Sequence, residues 1–201
     1  MYALILAGGE GSRLGRGEKA LVTVGGTPMI RRVADAFLQA GCDVVAVLSR
    51  KTPYTCNWCR AQGISYYRAM GEGYIEDIVE TVQALELTSP LFTCGTDLPL
   101  LASDTVKVLM ERYAECHRDA LSTWVPRTLA EEYGYLPPCT EVISGVEACP
   151  VGINILRGDL ITTPQEEERV LFEDPRLACN VNTREALEKV ERVLNPISRL
   201  S

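Results

Sequence analysis

Short apolar runs alternate with amphipathic stretches along most of the chain, the pattern expected of strands alternating with helices. Apolar and β-branched runs predict strands at Tyr2–Leu6, Leu21–Val24, Asp43–Leu48, Ile64–Tyr67, Pro90–Cys94, Ala120–Val125 and Val151–Leu156. Helical spacing predicts helices from an N-cap at Thr27 to near Gly41, over 53–62, from Tyr74 onwards, from Ser103 to His117, and after Thr183. This order implies βαβ units and an α/β fold, a single Rossmann-like domain whose largely parallel sheet carries helices on both faces.

The length of 201 residues fits one domain, which we place at 1–194, followed by a C-terminal tail at 195–201. Residues 126–148 contain three prolines and interrupt the alternation, so we interpret them as an insertion or flap. In open α/β sheets ligands bind at the carboxyl ends of strands. The chemistry is therefore expected in the loops after Leu6, Leu48, Cys94 and Leu156.

The charge balance argues against two classes of partner. With 20 basic and 27 acidic residues the net charge is −7, which disfavours nucleic acid and anionic membranes as partners. No run reaches the roughly 18 apolar residues of a membrane span, and the N-terminus lacks the features of a secretory signal. We therefore expect a cytoplasmic protein without a membrane span.

Eight cysteines are too few for a disulfide scaffold at this length, so we interpret them mainly as reduced, buried side chains. Cys56 and Cys59 form a C-x-x-C pair that could serve redox chemistry or half of a zinc site. A second such pair is absent from the sequence and His117 is its only histidine, which makes zinc the weaker interpretation.

A glycine-rich loop after the first strand is the strongest chemical signal. It runs Leu6-Ala7-Gly8-Gly9-Glu10-Gly11-Ser12-Arg13-Leu14-Gly15. Such a loop turns backbone N–H groups towards phosphate oxygens, and Arg13 and Lys19 supply positive charge beside it. The loop does not match the dinucleotide-binding pattern G-x-G-x-x-G, because Leu14 stands where the third glycine belongs. It does not match the Walker A pattern either, because Lys19 is followed by Ala20 where that pattern needs Ser or Thr.

Polar residues lie beside two other predicted elements, after a strand and before a helix. Asp97 ends a buried strand, where a carboxylate can hold Mg²⁺ against phosphate oxygens or can simply form a turn. Asn180 and Asn182 precede the last predicted helix, and either can cap it. Capping readily accounts for one of the two asparagines but not for both.

The first loop with Lys19 resembles the signature of the nucleotidyltransferases, which join a nucleoside triphosphate to a phosphorylated acceptor. Three further segments, Gly73–Asp77, Pro150–Asn154 and Asn180–Thr183, are similar to those of the archaeal adenosylcobinamide-phosphate guanylyltransferases of cobalamin biosynthesis. The molybdenum-cofactor guanylyltransferases share the first loop, an Asp at the strand end and an Asn-x-Asn-Thr segment. The resemblance implies an enzyme that transfers GMP from GTP to a phosphorylated corrinoid, with Mg²⁺ as cofactor.

The same resemblance implies a role for each candidate residue. Arg13, Lys19 and Asp97 would be catalytic, with Asp97 also holding the metal. The nucleotide would be bound by Leu6, Ala7, Gly8, Gly9, Gly11, Arg13, Lys19 and Ser49. Gly152, Asn154, Asn180 and Asn182 would line the acceptor side or the nucleotide side.

Alternatives from other classes stay open. The acceptor of a guanylyl- or cytidylyltransferase could instead be a pterin such as molybdopterin, or a sugar phosphate. A non-catalytic GTP-binding module and a thiol redox protein built on Cys56 and Cys59 are two further hypotheses. The oligomeric state is also open, with a homodimer as one option.

Overall fold

The computed structural model describes residues 1–9, 11, 15, 17–135 and 139–194. The strands are β1 (Tyr2–Leu6), β2 (Thr23–Val24), β3 (Thr27–Pro28), β4 (Asp43–Leu48), β5 (Ser65–Arg68), β6 (Pro90–Gly95), β7 (Ala120–Pro126), β8 (Glu141–Ile143), β9 (Val146–Arg157) and β10 (Glu167–Leu171). The helices are α1 (Met29–Gln39), α2 (Pro53–Gln62), α3 (Tyr74–Ala84), α4 (Ser103–Cys116), α5 (Arg127–Glu132), α6 (Pro175–Ala178) and α7 (Arg184–Leu194). Short 3₁₀ turns occupy Lys19–Leu21 and Gly158–Leu160.

The main sheet has the strand order β10-β7-β9-β6-β1-β4-β5, with β8 paired to β9. β5, β4, β1 and β6 run parallel, as do β7 and β10, whereas β9 runs antiparallel to β6, β7 and β8. The predicted α/β fold with a largely parallel sheet is confirmed. β2 and β3 form a separate small hairpin.

The direction of β9 corrects one expectation. Its carboxyl end, at Arg157, pairs with Pro90 at the amino end of β6. The loop after Leu156 therefore lies at the sheet edge opposite to the one where the chemistry was expected. Ile153 instead pairs with Cys94, so the middle of β9 reaches the carboxyl edge of the parallel strands.

Helices cover both faces of the sheet. α1, α2 and α4 bury alternate strand residues such as Ala3 and Ile5 on one face, and Phe37 of α1 meets Phe92 of β6 with ring centroids 5.2 Å apart. α3 covers Leu4, Val45 and Val47 on the other face. Strand side chains alternate between the faces, so both sets become fully buried.

Two local features differ from the sequence predictions. The helix expected to have its N-cap at Thr27 begins at Met29, because Thr27 and Pro28 belong to β3. The segment 126–148, interpreted as an insertion, holds α5, β8 and the first residues of β9. Residues 136–138 and the predicted tail at 195–201 lie outside the described residues. None of the helices within the described ranges is long and apolar enough to cross a membrane.

Candidate active site

A cleft opens at the carboxyl ends of β1, β4, β5 and β6. Loops following these strands, together with the start of α3, line it. The lining residues are Leu6, Ala7, Gly8, Gly9, Lys19, Ser49, Lys51, Gly71, Gly73, Tyr74, Asp77, Gly95, Thr96 and Asp97. Of the residues assigned to the nucleotide from the sequence, this set contains Leu6, Ala7, Gly8, Gly9, Lys19 and Ser49.

Lys19 and Asp97, which line the cleft, meet asparagine side chains from a distant part of the chain that do not line it. Lys19 Nζ lies 3.3 Å from Asp97 Oδ2 and donates a 2.5 Å hydrogen bond to Asn182 Oδ1. The Asn182 amide in turn donates to Asn180 Oδ1. The side chains of Lys19 and Asp97 are only 20% and 21% exposed, so their ion pair is partly shielded from water.

Backbone contacts hold this cluster in place. Val181 N donates to Asp97 O at 2.8 Å, which fixes the segment between α6 and α7 beside the end of β6. Thr183 Oγ1 accepts a hydrogen bond from Ala186 N in the first turn of α7. Thr183 thus provides the side-chain cap that the sequence suggested for Asn180 or Asn182, while both asparagines belong to the polar cluster.

Gly11 explains how the glycine loop reaches Lys19. Its φ of +66° lies in the left-handed region, and a Cβ there would be 2.6 Å from Lys19 Cβ. Any larger residue would be strained and would collide with Lys19. Gly11 therefore allows the loop to pack directly on the backbone that carries the cation.

Ser49 joins the glycine loop to the loop after β4. Its Oγ donates a 2.8 Å hydrogen bond to Gly8 O and accepts one of 3.2 Å from Lys51 N. The loop after β5 is held from the opposite side, since Asp77 of α3 accepts a hydrogen bond from Gly71 N. In the cleft walls the glycine loop and the loop after β4 are thus bonded to each other, and the loop after β5 is bonded to α3.

The sequence analysis did not assign Lys51, Gly71, Gly73, Tyr74, Asp77, Gly95 or Thr96 to the site, although all line the cleft. Tyr74 and Asp77 lie in a segment that was used only for the family resemblance. Tyr74 is 47% exposed as a residue, and burial of its phenol raises the pKa of that group. The signal available was position, since residues that begin a helix after a parallel strand face this edge.

Gly152 and Asn154 lie on β9 rather than in the cleft lining. Gly152 has φ +87° at a register shift between β9 and β7, and a Cβ there would meet no atom within 4 Å. The structure explains this glycine by its backbone conformation and not by crowding. Asn154 pairs with Thr93 of β6 and lines a second groove, which shares Tyr74 with the cleft.

Two further residue sets were singled out from the sequence. Arg13 lies outside the described residues, so its predicted contact with the nucleotide stays a prediction. Cys56 and Cys59 are buried in α2 and are not bonded to each other. Burial raises the pKa of Cys59 to about 11, the opposite of the shift that activates a redox thiol. Within the described ranges no group of three or more His, Cys, Asp or Glu residues could hold a metal.

Comparison with known proteins shows the family of this chain. Residues 3–171 match the family of MobA-like NTP transferase domains. The chain belongs to this family. It is therefore an enzyme, a nucleotidyltransferase.

Two relatives of this NTP transferase come from archaea. Adenosylcobinamide-phosphate guanylyltransferase of Methanocaldococcus jannaschii is 28% identical over 96% of the chain and 97% of its own length. The probable molybdenum cofactor guanylyltransferase of Natronomonas pharaonis is 28% identical over 85% of the chain and 82% of its length. Both resemble the transferase along most of their sequence.

A solved structure shows the same fold. The CMP:2-keto-3-deoxy-manno-octonic acid synthetase complexed with CTP superposes with a TM-score of 0.75 at 18% identity, covering 97% of the transferase and 98% of the synthetase. The family match ends at residue 171, before Asn180 and Asn182. The contact of Asn182 with Lys19 connects this later segment to the cleft.

Proposed function

We propose that the protein transfers GMP from GTP to a phosphorylated corrinoid, adenosylcobinamide phosphate, and releases pyrophosphate. An acceptor phosphate oxygen attacks the α-phosphorus of GTP, and the bond from that phosphorus to the β-phosphate bridging oxygen breaks. The observation that carries the nucleotidyl transfer is the meeting of Lys19, Asp97 and Asn182 beside the glycine loop. The corrinoid is supported by the similarity to the Methanocaldococcus jannaschii enzyme along nearly the whole chain.

The cleft is suited to the triphosphate. Backbone of Gly8 and Gly9 lines it, and the ammonium of Lys19 lies at its floor beside Asp97. Displacement at phosphorus depends mainly on positioning and on stabilising negative charge, so it requires no covalent nucleophile. In this proposal Lys19 binds the phosphate oxygens, and Ser49 and Lys51 contact the nucleoside part of GTP.

The oxygen atoms around Lys19 fit a magnesium ion. Asp97 Oδ2 and Asn182 Oδ1 already surround a cation, the Lys19 ammonium, and carboxylate and amide oxygens are hard ligands. Mg²⁺ commonly uses one or two protein carboxylates with phosphate and water, so one aspartate suffices. Asp97 and Asn182 would hold the ion, which would neutralise charge on the phosphates. Lys19 would then be free to turn towards the nucleotide.

The second groove is suited to a large acceptor. It continues from the cleft at Tyr74 along the open sheet face, and it is lined by Ile75, Asn154, Leu156, Ile161 and Gln165 among others. Ile75 is 67% exposed, which leaves apolar surface available beside a few polar groups. An extended, partly apolar macrocycle makes better use of such a surface than a sugar phosphate does.

The test is turnover of the purified protein. Pyrophosphate release would be followed with GTP, ATP or CTP, each combined with adenosylcobinamide phosphate, molybdopterin or a sugar phosphate in the presence of Mg²⁺. We expect release with GTP and adenosylcobinamide phosphate. Release only with molybdopterin or a sugar phosphate would overturn the corrinoid but leave nucleotidyl transfer standing, and release only with CTP or ATP would overturn the choice of GTP.

A further inference from the structure

Glu18 is a buried carboxylate that the proposed chemistry does not use. It directly precedes Lys19 and is 9% exposed. Its two oxygens accept three hydrogen bonds from α2, namely from Tyr54 N at 2.9 Å, Thr55 N at 2.6 Å and Thr55 Oγ1 at 2.5 Å. A buried carboxylate costs free energy unless it is well paired, so these three donors account for its presence.

The donors are available because α2 lacks a local cap. Thr52 is the N-cap residue, but its hydroxyl is bonded to the backbone of Ser49 and does not cap the helix. Pro53 follows and has no N–H. The next two N–H groups, at Tyr54 and Thr55, would be left without an intrahelical partner. Glu18 binds both from 36 and 37 residues away, and its negative charge also suits the positive end of the helix dipole.

The same residue begins the turn that carries Lys19. Glu18 O accepts a hydrogen bond from Leu21 N, and Lys19 O accepts one from Val22 N. The side chain of Glu18 thus fixes this turn to α2. Thr52 and Ser49 extend the connection from the start of α2 to Gly8 of the glycine loop.

We infer that Glu18 is a positioning residue that holds Lys19 in the nucleotide cleft. That Glu18 positions Lys19 is inferred from the contacts alone, whereas its importance for turnover rests on the proposed function. Lys19 lies between two fixed points, Glu18 bound to α2 on one side and Gly11 packed against its backbone on the other. Without Glu18 the turn loses its attachment to α2, and the ammonium is held less firmly near Asp97.

The experiment compares three variants with the parent protein. Glu18→Ala removes all three hydrogen bonds, and Glu18→Gln keeps one accepting oxygen while losing the charge. Phe37→Leu is the control for general destabilisation, because Phe37 is fully buried beneath β6 and does not line the cleft. Amide hydrogen exchange would be read at residues 17–22 and 52–56, and GTP affinity would be measured by calorimetry.

We expect Glu18→Ala to exchange at least tenfold faster in both segments and to bind GTP at least tenfold more weakly, with Glu18→Gln between it and the parent. Phe37→Leu should not change the exchange rate of either segment selectively. Combining Glu18→Ala with Lys19→Ala should weaken GTP binding no further than Lys19→Ala alone, because Glu18 acts through Lys19.

Two outcomes would overturn the inference. One is faster exchange confined to 52–56, which would make Glu18 only a helix cap. The other is a full additional loss of affinity in the double variant. If the parent protein binds no nucleotide, the proposed function fails, whereas the exchange at 17–22 still decides whether Glu18 positions Lys19.

Discussion

At the residue scale, Lys19 joins separate parts of the chain, since it contacts Asp97 and Asn182 and packs against Gly11. Lys19→Ala should weaken GTP binding, because one charge-assisted contact is worth about 1.5 to 3 kcal/mol, or roughly 10- to 150-fold in affinity. Calorimetric titration with GTP measures the change. Lys107→Ala is the matched control, since Lys107 is an exposed lysine of α4 that does not line the cleft. Equal GTP affinity in the Lys19 and Lys107 variants would show that Lys19 does not bind the nucleotide.

Asp97 is expected to matter more for turnover than for nucleotide binding. Asp97→Asn keeps the size of the side chain but removes the charge proposed to hold Mg²⁺ near the phosphates. Turnover should fall by more than about tenfold, with a smaller loss of GTP affinity, since Lys19 and the loop backbone stay in place. The measurement is a Mg²⁺ titration of pyrophosphate release. An unchanged magnesium dependence would show that the metal is held by other residues.

Substitutions at Gly152 can separate the effect of backbone strain from the effect of an added negative charge. Its positive φ should cost Gly152→Ala about 1 to 2 kcal/mol of stability, whereas asparagine and aspartate tolerate the left-handed region better. Gly152→Asn and Gly152→Asp have nearly the same shape, so their difference in GTP and acceptor binding reports the added negative charge. We expect Asp, but not Asn, to abolish binding of a phosphorylated ligand. Equal binding by the two variants would place Gly152 away from the phosphates.

At the scale of elements, α6 directly precedes the segment with Asn180 and Asn182, and Asn180 N donates to Ala178 O at its end. Asp174 caps α6 by accepting a hydrogen bond from Arg176 N, and Arg176 also pairs with Asp104 of α4. Burial alone would raise the pKa of Asp174, but its hydrogen bonds with Arg176 outweigh burial and lower it from the ordinary 3.8. The hydrogen bond from Arg176 also lowers the pKa of Asp104.

These lowered pKa values predict the sign of a pH effect. A carboxyl group whose pKa is lower in the folded state contributes stability above its unfolded pKa, and that stability is lost as the pH falls through the folded value. Asp174→Asn should therefore lower the melting temperature at pH 7, and the difference from the parent should shrink below pH 3.8. Thermal melts across this range give the measurement. Asp35→Asn, which removes only a surface ion pair with Arg31, should show a smaller difference.

Most elements follow from the sequence because their signals are local. Tyr2–Leu6, Asp43–Leu48 and the helix over 53–62 agree with their predicted bounds, and the other predicted strands differ by one to five residues at an end. β10 was missed because Glu167, Glu168 and Arg169 are charged, and its strand conformation comes from pairing with β7. The antiparallel direction of β9 was also unpredictable, since strand direction depends on tertiary pairing and not on local pattern.

The candidate site was predictable to the extent that residue type and strand position determine it. Lys19, Ser49 and Asp97 follow or end predicted elements, and the structure brings all three to the cleft. The bond between Lys19 and Asn182 was not foreseeable, because it joins residues 163 positions apart. The role of Glu18 was equally hidden, because a capping residue is normally sought beside its own helix.

At the scale of the whole molecule, the cysteines offer a test of the packed core. Cys42, Cys56, Cys59, Cys94, Cys149 and Cys179 are buried, whereas Cys139 is exposed. A thiol reagent should therefore modify Cys139 rapidly in the native protein and the six buried thiols only when the chain unfolds. Mass spectrometry of the labelled protein against denaturant concentration reads both steps. Rapid native labelling of Cys56 or Cys59 would reopen the redox hypothesis.

The hydrogen bond between Lys19 and Asn182 also bears on the order of events during synthesis of the chain. Synthesis at about 5 to 20 residues per second separates the appearance of these two residues by roughly 8 to 33 seconds. Throughout that interval the nascent chain carries the lysine, and later Asp97, without the amide that completes their cluster. If Asn182 helps to hold Mg²⁺ as proposed, the metal site is complete only after residue 182 has been synthesised, so activity begins late in the synthesis of each molecule.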